Sequence, residues 1–415
     1  MTRTIVEGEP EWRGAIRADP SVGFPAGGRS CLSLGCGQPP SISCLGAKPP
    51  VARLLPVCAL RNGRAGKPHT ALAPNATADP GSHMRRSIAG AVVVITGASR
   101  GIGRATARLF AERGASVVLA ARSEEALLEA AAECEVRGGR ALAVPTDVAE
   151  WGSVEGLVRR AAEHFGRIDV WVNSAVLAAV GRLEEVPPEA NRRIVETNLL
   201  GYIHGAQAAL PHFRQQGSGV LINMSSGFGL VGVPYAGAYT ATKFAQRGLA
   251  QALRGELRGT GVHVCTIMPG GVDTPAYRLA ANYSGRAAGP DSFLASPERI
   301  ARVVVRCAES PRPEVVVGNS VRTLRLTHAL FPGLVERAVG RTIEQGFLRE
   351  EPEEPTPGNL FEPLPEWAAT DGGFNEEARH RAVLRARRAA AVGASVIGPS
   401  ILTWFLLRTK RRGRR

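Results

Sequence analysis

Residues 91–114 read AVVVITGASRGIGRATARLFAERG: an unbroken apolar run, a glycine-rich turn and a helix-forming stretch, in immediate succession. Continuous Val/Ile runs suit a strand buried on both faces, where an alternating pattern would leave one face to solvent. In the turn TGASRGIG (96–103), glycines let a backbone approach a pyrophosphate. The helix it opens presents free N–H groups and a partial positive charge there. Gly97, Gly101 and Gly103 are spaced G-x-x-x-G-x-G, which differs from the commoner G-x-G-x-x-G. A strand-to-helix turn with no ligand is the plainer reading of this stretch alone.

The pattern repeats outward from it. SVVLAA (116–121), ALAVPT (141–146), IDVWVN (168–173), VLINMS (220–225), VHVCTIM (262–268) and EVVVG (314–318) are further short apolar runs. Each is separated from the next by room for at least one helix, of which 105–114, 123–139 and 154–166 are representative. Strand and helix alternating in this way predict an α/β fold, a doubly wound parallel sheet of Rossmann type.

The rest of the chain frames that region. Of 415 residues, 44% are hydrophobic and 21% charged, an ordinary balance for a folded protein with a large core. The net charge of +14 is concentrated, because residues 378–415 carry eleven Lys/Arg and no acid, leaving +3 for everything else. The basic balance therefore describes a tail. No basic face with interleaved aromatics extends into the body, which argues against nucleic-acid binding. Cys31, Cys36, Cys44 and Cys58 lie near the start; Cys134, Cys265 and Cys307 are scattered singly and read as small apolar residues. No pair has a metal-ligand spacing, so no metal is expected, and the odd total points to a reducing, cytoplasmic setting.

Residues 1–83 show no sustained period and read as a disordered extension. GSHM at 81–84 resembles a cloning scar, so the extension is either native or foreign to the natural product. Residues 84–348 hold the strand–helix alternation. The acidic, proline-rich 349–377 reads as an extended linker. In the tail 378–415, nineteen uncharged residues at 389–407 are flanked by basic ones. That length suits a bilayer span, a helix lying on anionic lipid, or a segment packed on the domain.

Two features refine the nucleotide reading. The second run ends in Arg122, where a site for the unphosphorylated ribose usually has Asp or Glu. Arg100 sits within the glycine turn. Two guanidiniums suit a 2′-phosphate, so NADP(H) is expected over NAD(H), unless both arginines are solvated surface charges. Asp147, in TDV (146–148), is placed to meet an adenine.

The second feature is YTATK (239–243). Residues four apart share a helix face, so Lys243 stands beside Tyr239. A neighbouring cation favours the charged form of a phenol, making it a usable acid or base.

Together, TGASRGIG, NSA (173–175), Asn198 in ETNLLG, the serine of INMSSG, YTATK and PGGVDT (269–274) resemble the short-chain dehydrogenase/reductase family over about residues 88–320. The resemblance implies a seven-stranded parallel sheet, NAD(P)-dependent hydride transfer and a homo-oligomer. Carried over by motif, Tyr239 is the acid/base and Lys243 also holds the nicotinamide ribose. Ser226, thirteen residues before Tyr239, polarises the carbonyl, with the adjacent Ser225 as the alternative. Asn198 holds a water for proton relay, or merely satisfies backbone groups in a helix kink.

Cofactor contacts are implied for Gly97, Ser99, Arg100, Gly101, Ile102, Gly103, Arg122, Asp147, Val148, Asn173, Pro269, Gly270 and Val272. Thr274 either binds cofactor or caps the following segment. NSA departs from the family's NNAG, leaving the loop after Asn173 less defined. Tyr235 lacks a lysine partner and is expected to line the substrate cleft.

The loops 227–237 and 274–296 are mostly small or apolar, with Arg278, Arg286 and Asp291 the charges of the second. They predict a small apolar carbonyl or secondary alcohol as substrate. The rival reading is a non-catalytic NADP-binding regulator or membrane-associated scaffold.

Overall fold

All seven apolar runs become strands of one sheet. The computed structural model describes residues 86–290, 294–364 and 367–380. The strands are β1 (Val92–Thr96), β2 (Ser116–Ala121), β3 (Arg140–Pro145), β4 (Val170–Asn173), β5 (Gly219–Met224), β6 (Val262–Pro269) and β7 (Glu314–Val317). They lie parallel in the order β3-β2-β1-β4-β5-β6-β7. The order reverses between β1 and β4, and a crevice outside the carboxyl ends follows at that point.

Burial on both faces accounts for the unbroken apolar runs of the inner strands, while the edge strands β3 and β7 are only partly covered. Val93, Ile95, Val117 and Leu119 pack into one layer with α1 (Gly101–Glu112) and α2 (Glu124–Val136). Val92, Val94, Val118 and Ala120 face the other layer, built with α3 (Trp151–Phe165). A long helix begins as α4 (Pro188–Val195), passes through a π turn at Glu196–Leu200 and continues as α5 (Gly201–Gln216). The helix carrying YTATK is α6 (Gly237–Glu256), packed on the second layer through Ala250 and Leu253. Beyond it come α7 (Pro297–Glu309), α8 (Asn319–Leu330) and α9 (Pro332–Thr342). Cys134, Cys265 and Cys307 are free thiols buried in the first layer, as their scatter predicts.

The linker expected at 349–377 is corrected. Leu348–Pro352 pairs antiparallel with Arg286–Ala288, and Thr356 exchanges both backbone bonds with Asn282. Leu360 is fully buried among Leu177, Ala190, Ile194 and Ala281. The Asp273 carboxylate accepts the N–H groups of Gly372, Phe374 and Asn375 at 2.9–3.1 Å. Acid and proline content suggested an extended spacer. The segment is extended, but its partners lie on the strand–helix domain, so residue 348 is no boundary.

The extension 1–83 and the apolar stretch 389–407 lie outside the described residues, as does Asp291. Among the described residues no helix is long and apolar enough to cross a membrane.

Candidate active site

At the carboxyl ends of β1, β4, β5 and β6 a cavity of about 600 Å³ opens, within the range of small-molecule and cofactor sites. One end is lined by Arg122, Ser123, Asp147 and Val148; the other holds Ser226, Tyr239 and Lys243. Between them runs the turn of Gly97, Ser99, Arg100, Gly101, Ile102 and Gly103, facing Pro269, Gly270, Val272 and Thr274. Residues as far apart as Gly97 and Thr274 thus meet in one groove, because the parallel strands bring their carboxyl ends, and the turns and helices that follow them, to the same edge of the sheet.

The turn is tight for internal reasons as well. A Cβ on Gly103 would stand 2.1 Å from the Gly97 carbonyl oxygen, and one on Gly97 would stand 2.7 Å from the Ala175 backbone. Thr96 Oγ1 accepts from the N–H of Ser174 at 3.1 Å, tying the turn to the loop after β4. Asn173 itself departs from expectation, because it does not line the cavity. Its amide is buried, donating to Asn223 Oδ1 at 2.9 Å and accepting from Trp171 Nε1 at 2.8 Å. Ser174 and Ala175 line the groove in its place.

Ser225 and Ser226 are distinguished by their partners. Ser225 is buried, with its hydroxyl donating to the Lys243 carbonyl at 3.0 Å. The Ser226 hydroxyl accepts the Phe228 N–H at 3.1 Å and lies against the Tyr239 phenol. Tyr239 is half-buried, with the Phe228 ring edge-on at 6.3 Å. Its pKa is raised above the ordinary phenol value by burial, and the Ser226 hydrogen bond opposes that rise.

Lys243 stands beside Tyr239 as helical spacing requires, with Nζ 5.3 Å from the ring centroid. The lysine is only 2% exposed, and burial holds its pKa down to about 7. Against the expectation of a lowered phenol, burial leaves Tyr239 above its ordinary value. An ammonium this deep is itself disfavoured, so near neutrality it is only partly charged.

Asn198, expected to hold a water for proton relay, has its side chain committed elsewhere. Asn198 lies on the π turn, a place where the helix ladder opens. Its side chain pairs with the Leu177 N–H and carbonyl, both at 2.8 Å. Lys243 Nζ donates to the Met224 carbonyl at 2.9 Å and approaches Gln246 Oε1 at 3.4 Å. Gln246 Nε2 in turn donates to the Asn198 carbonyl at 2.6 Å. A fully buried glutamine thus links Lys243 to the Asn198 carbonyl. Its position one turn beyond Lys243 on the same helix face was the available signal. Gln246→Leu removes two buried hydrogen bonds, with an expected loss of about 1–3 kcal/mol of stability. An unchanged urea midpoint and slope would refute that assignment.

Asp147 meets Arg193, which also reaches the Leu360 carbonyl at 3.1 Å. Arg278 is drawn to the carboxyl-terminal segment, stacking on Phe374 at 4.4 Å and donating to the Gly372 carbonyl at 2.8 Å. Tyr235 lines the cleft with φ +63° and donates to Glu344 Oε1 at 3.3 Å. Leu324, Ile343 and Phe347 complete the apolar wall, and sequence reasoning missed all three. They come from helices beyond the last motif, where nothing local marks a side chain as pocket-lining.

The short chain dehydrogenase family matches residues 91–282. Uncharacterized oxidoreductase YxnA of Bacillus subtilis is 37% identical over 268 residues, covering 64% of this chain and 75% of that one. Cis-4-hydroxycyclohexanecarboxylate dehydrogenase of Sinomonas cyclohexanicum is 37% identical over 237 residues, covering 56% and 95%. Among solved structures, a short chain dehydrogenase/reductase from Burkholderia phymatum in complex with NAD is 26% identical, with a TM-score of 0.55 over 60% and 96% of the two chains. The chain belongs to the short-chain dehydrogenase family. It is a nucleotide-binding oxidoreductase of that class.

Proposed function

We propose that the enzyme transfers hydride between NADP(H) and the carbonyl or secondary-alcohol carbon of a small apolar substrate. The observation that carries this reading is one groove with a charged end and an apolar end, joined by the glycine turn. Its residues fit a phosphorylated dinucleotide. Arg122 stands where a 2′-phosphate would come, and the helix N-terminus at Gly101–Gly103 suits a pyrophosphate. Thr274 and the backbone of Pro269–Val272 would hold the carboxamide end. When bound, the dinucleotide supplies or accepts the hydride.

Tyr239 donates the proton to the substrate oxygen, or removes it in the reverse direction. A phenol that stays protonated in its apolar surroundings suits the reductive direction. Ser226 donates to the same oxygen and stabilises the charge developing there. Lys243 orients the ribose and returns a proton towards Tyr239, with Gln246 and the Asn198 carbonyl behind it. Pro234, Tyr277, Leu324 and Phe347 exclude water and favour an apolar substrate. The Sinomonas relative is named for a ring secondary alcohol that also bears a carboxylate, which supports the alcohol chemistry and not the apolar preference.

Oxidation of NADPH and NADH with a series of apolar ketones tests the reading. NADPH is expected to give the higher kcat/KM. Arg122→Ala should cost about 10- to 100-fold with NADPH, the worth of charge-assisted hydrogen bonds, and little with NADH. A wild-type preference for NADH would overturn the cofactor assignment.

A further inference from the structure

The Arg122 guanidinium is held by the carboxyl-terminal segment. Nη1 donates to the carbonyls of Leu360 at 3.0 Å and Phe361 at 2.9 Å, and Nη2 donates to that of Asn359. These three consecutive carbonyls come from a stretch more than 230 residues away in sequence. They are seated firmly. Leu360 is fully buried, the Asn359 N–H donates to the Leu279 carbonyl at 2.9 Å, and Leu360 O also accepts from Arg193. Gly358 allows the approach: its φ is +51°, and a Cβ there would stand 2.3 Å from the Leu279 carbonyl oxygen.

Donor counting shows the consequence. A guanidinium has five N–H groups. Both on Nη1 and one on Nη2 are taken, leaving the Nε–H and one Nη2–H. Two such donors form the fork that grips a phosphate bidentately. We propose that the carbonyls of Asn359, Leu360 and Phe361 set the preference for a 2′-phosphorylated dinucleotide by locking Arg122 with that fork presented to the cavity. This rests on the NADP reading above and names what enforces it.

A free arginine loses rotamer freedom when it grips a ligand, whereas this one has lost it on folding, so more of the phosphate interaction is kept as affinity. The surroundings suit a dianion. After burial, the like charge of Arg193 and then that of Arg100 hold the guanidinium below its ordinary pKa, and only Asp147 opposes them.

The test uses the full chain and two ligands that differ in one group, adenosine 2′,5′-bisphosphate and 5′-AMP, with dissociation constants from calorimetry. Wild type should bind the bisphosphate about 10- to 100-fold more tightly, as expected for charge-assisted bonds. Gly358→Val, which pushes the carbonyls off their seat, should bring that ratio close to one while 5′-AMP affinity stays within about twofold. Arg122→Lys should do the same, since an ammonium has three N–H groups and three carbonyls await them. Should Gly358→Val fail to fold, Gly358→Ala, whose Cβ meets the same Leu279 carbonyl, takes its place. A ratio that persists in the variants, falls together with 5′-AMP binding, or rises because the carbonyls compete with phosphate overturns the carbonyl lock and leaves the cofactor reading standing. A wild-type ratio near one removes the NADP reading and this inference with it.

Discussion

Tyr239→Phe is expected to lower kcat by about 100- to 10,000-fold, the usual worth of a positioned acid or base. KM and cofactor affinity should change little. The substitution deletes one oxygen and keeps the ring, so the edge contact with Phe228 survives. The Ser226 hydroxyl retains the Phe228 N–H as a donor. No cavity opens and no backbone group loses a partner, so the unfolding midpoint should stay within about 0.5 kcal/mol of wild type. Steady-state kinetics with a competent ketone and a parallel urea titration check both halves. Residual activity within tenfold of wild type would mean that some other group moves the proton.

Lys243→Met should abolish most activity and change how stability depends on pH. The folded-state pKa of Lys243 is about 7, against an ordinary value of 10.5. Between those values the unfolded chain holds a proton that the native state does not, so wild-type stability rises with pH across that window. Below about pH 7 both states are protonated and the penalty is constant. At 1.36 kcal/mol per pKa unit, the burden is on the order of 3–5 kcal/mol. Met has no such limb. The stability difference between variant and wild type should therefore shift in favour of Met as pH falls from 10 to 7, then level off.

Other groups in the window push the opposite way. Burial raises Cys134 to about 12 and also raises Tyr202 and Tyr239, so these contributions decline as pH climbs through the unfolded thiol and phenol values. Both proteins share them, and subtraction isolates the lysine. A pH-independent difference would show that Nζ is charged in the native state throughout. On the mechanism proposed above, the expected trade is a lysine able to exchange a proton near neutrality, kept at a cost in stability.

Much of the site was legible because its residues carry local signatures. The glycine turn had to join a strand to a helix, and Lys243 had to stand one turn from Tyr239. Ser226 follows a strand end, which puts it at the carboxyl edge of a parallel sheet. Asn173 was misplaced because a residue at a strand's end can point into the groove or beneath the sheet. Trp171, two residues away on the same side, and Asn223 drew its amide beneath. The charge state of Lys243 was misjudged for a related reason. Spacing reveals a neighbour, whereas depth of burial sets whether that neighbour carries charge.

By itself, the order of residues determined what short-range periodicity can encode: seven strands of one sheet, the helices between them, the phosphate-type turn and the Ser–Tyr–Lys constellation. Only the tertiary structure decided that Gln246 bridges Lys243 and Asn198, and that an acidic, proline-rich stretch docks at the cofactor groove through Asp273 and Arg122. Those contacts join backbone groups to side chains many residues distant. A backbone carbonyl is the same in every residue, so no local pattern can announce which guanidinium it will meet.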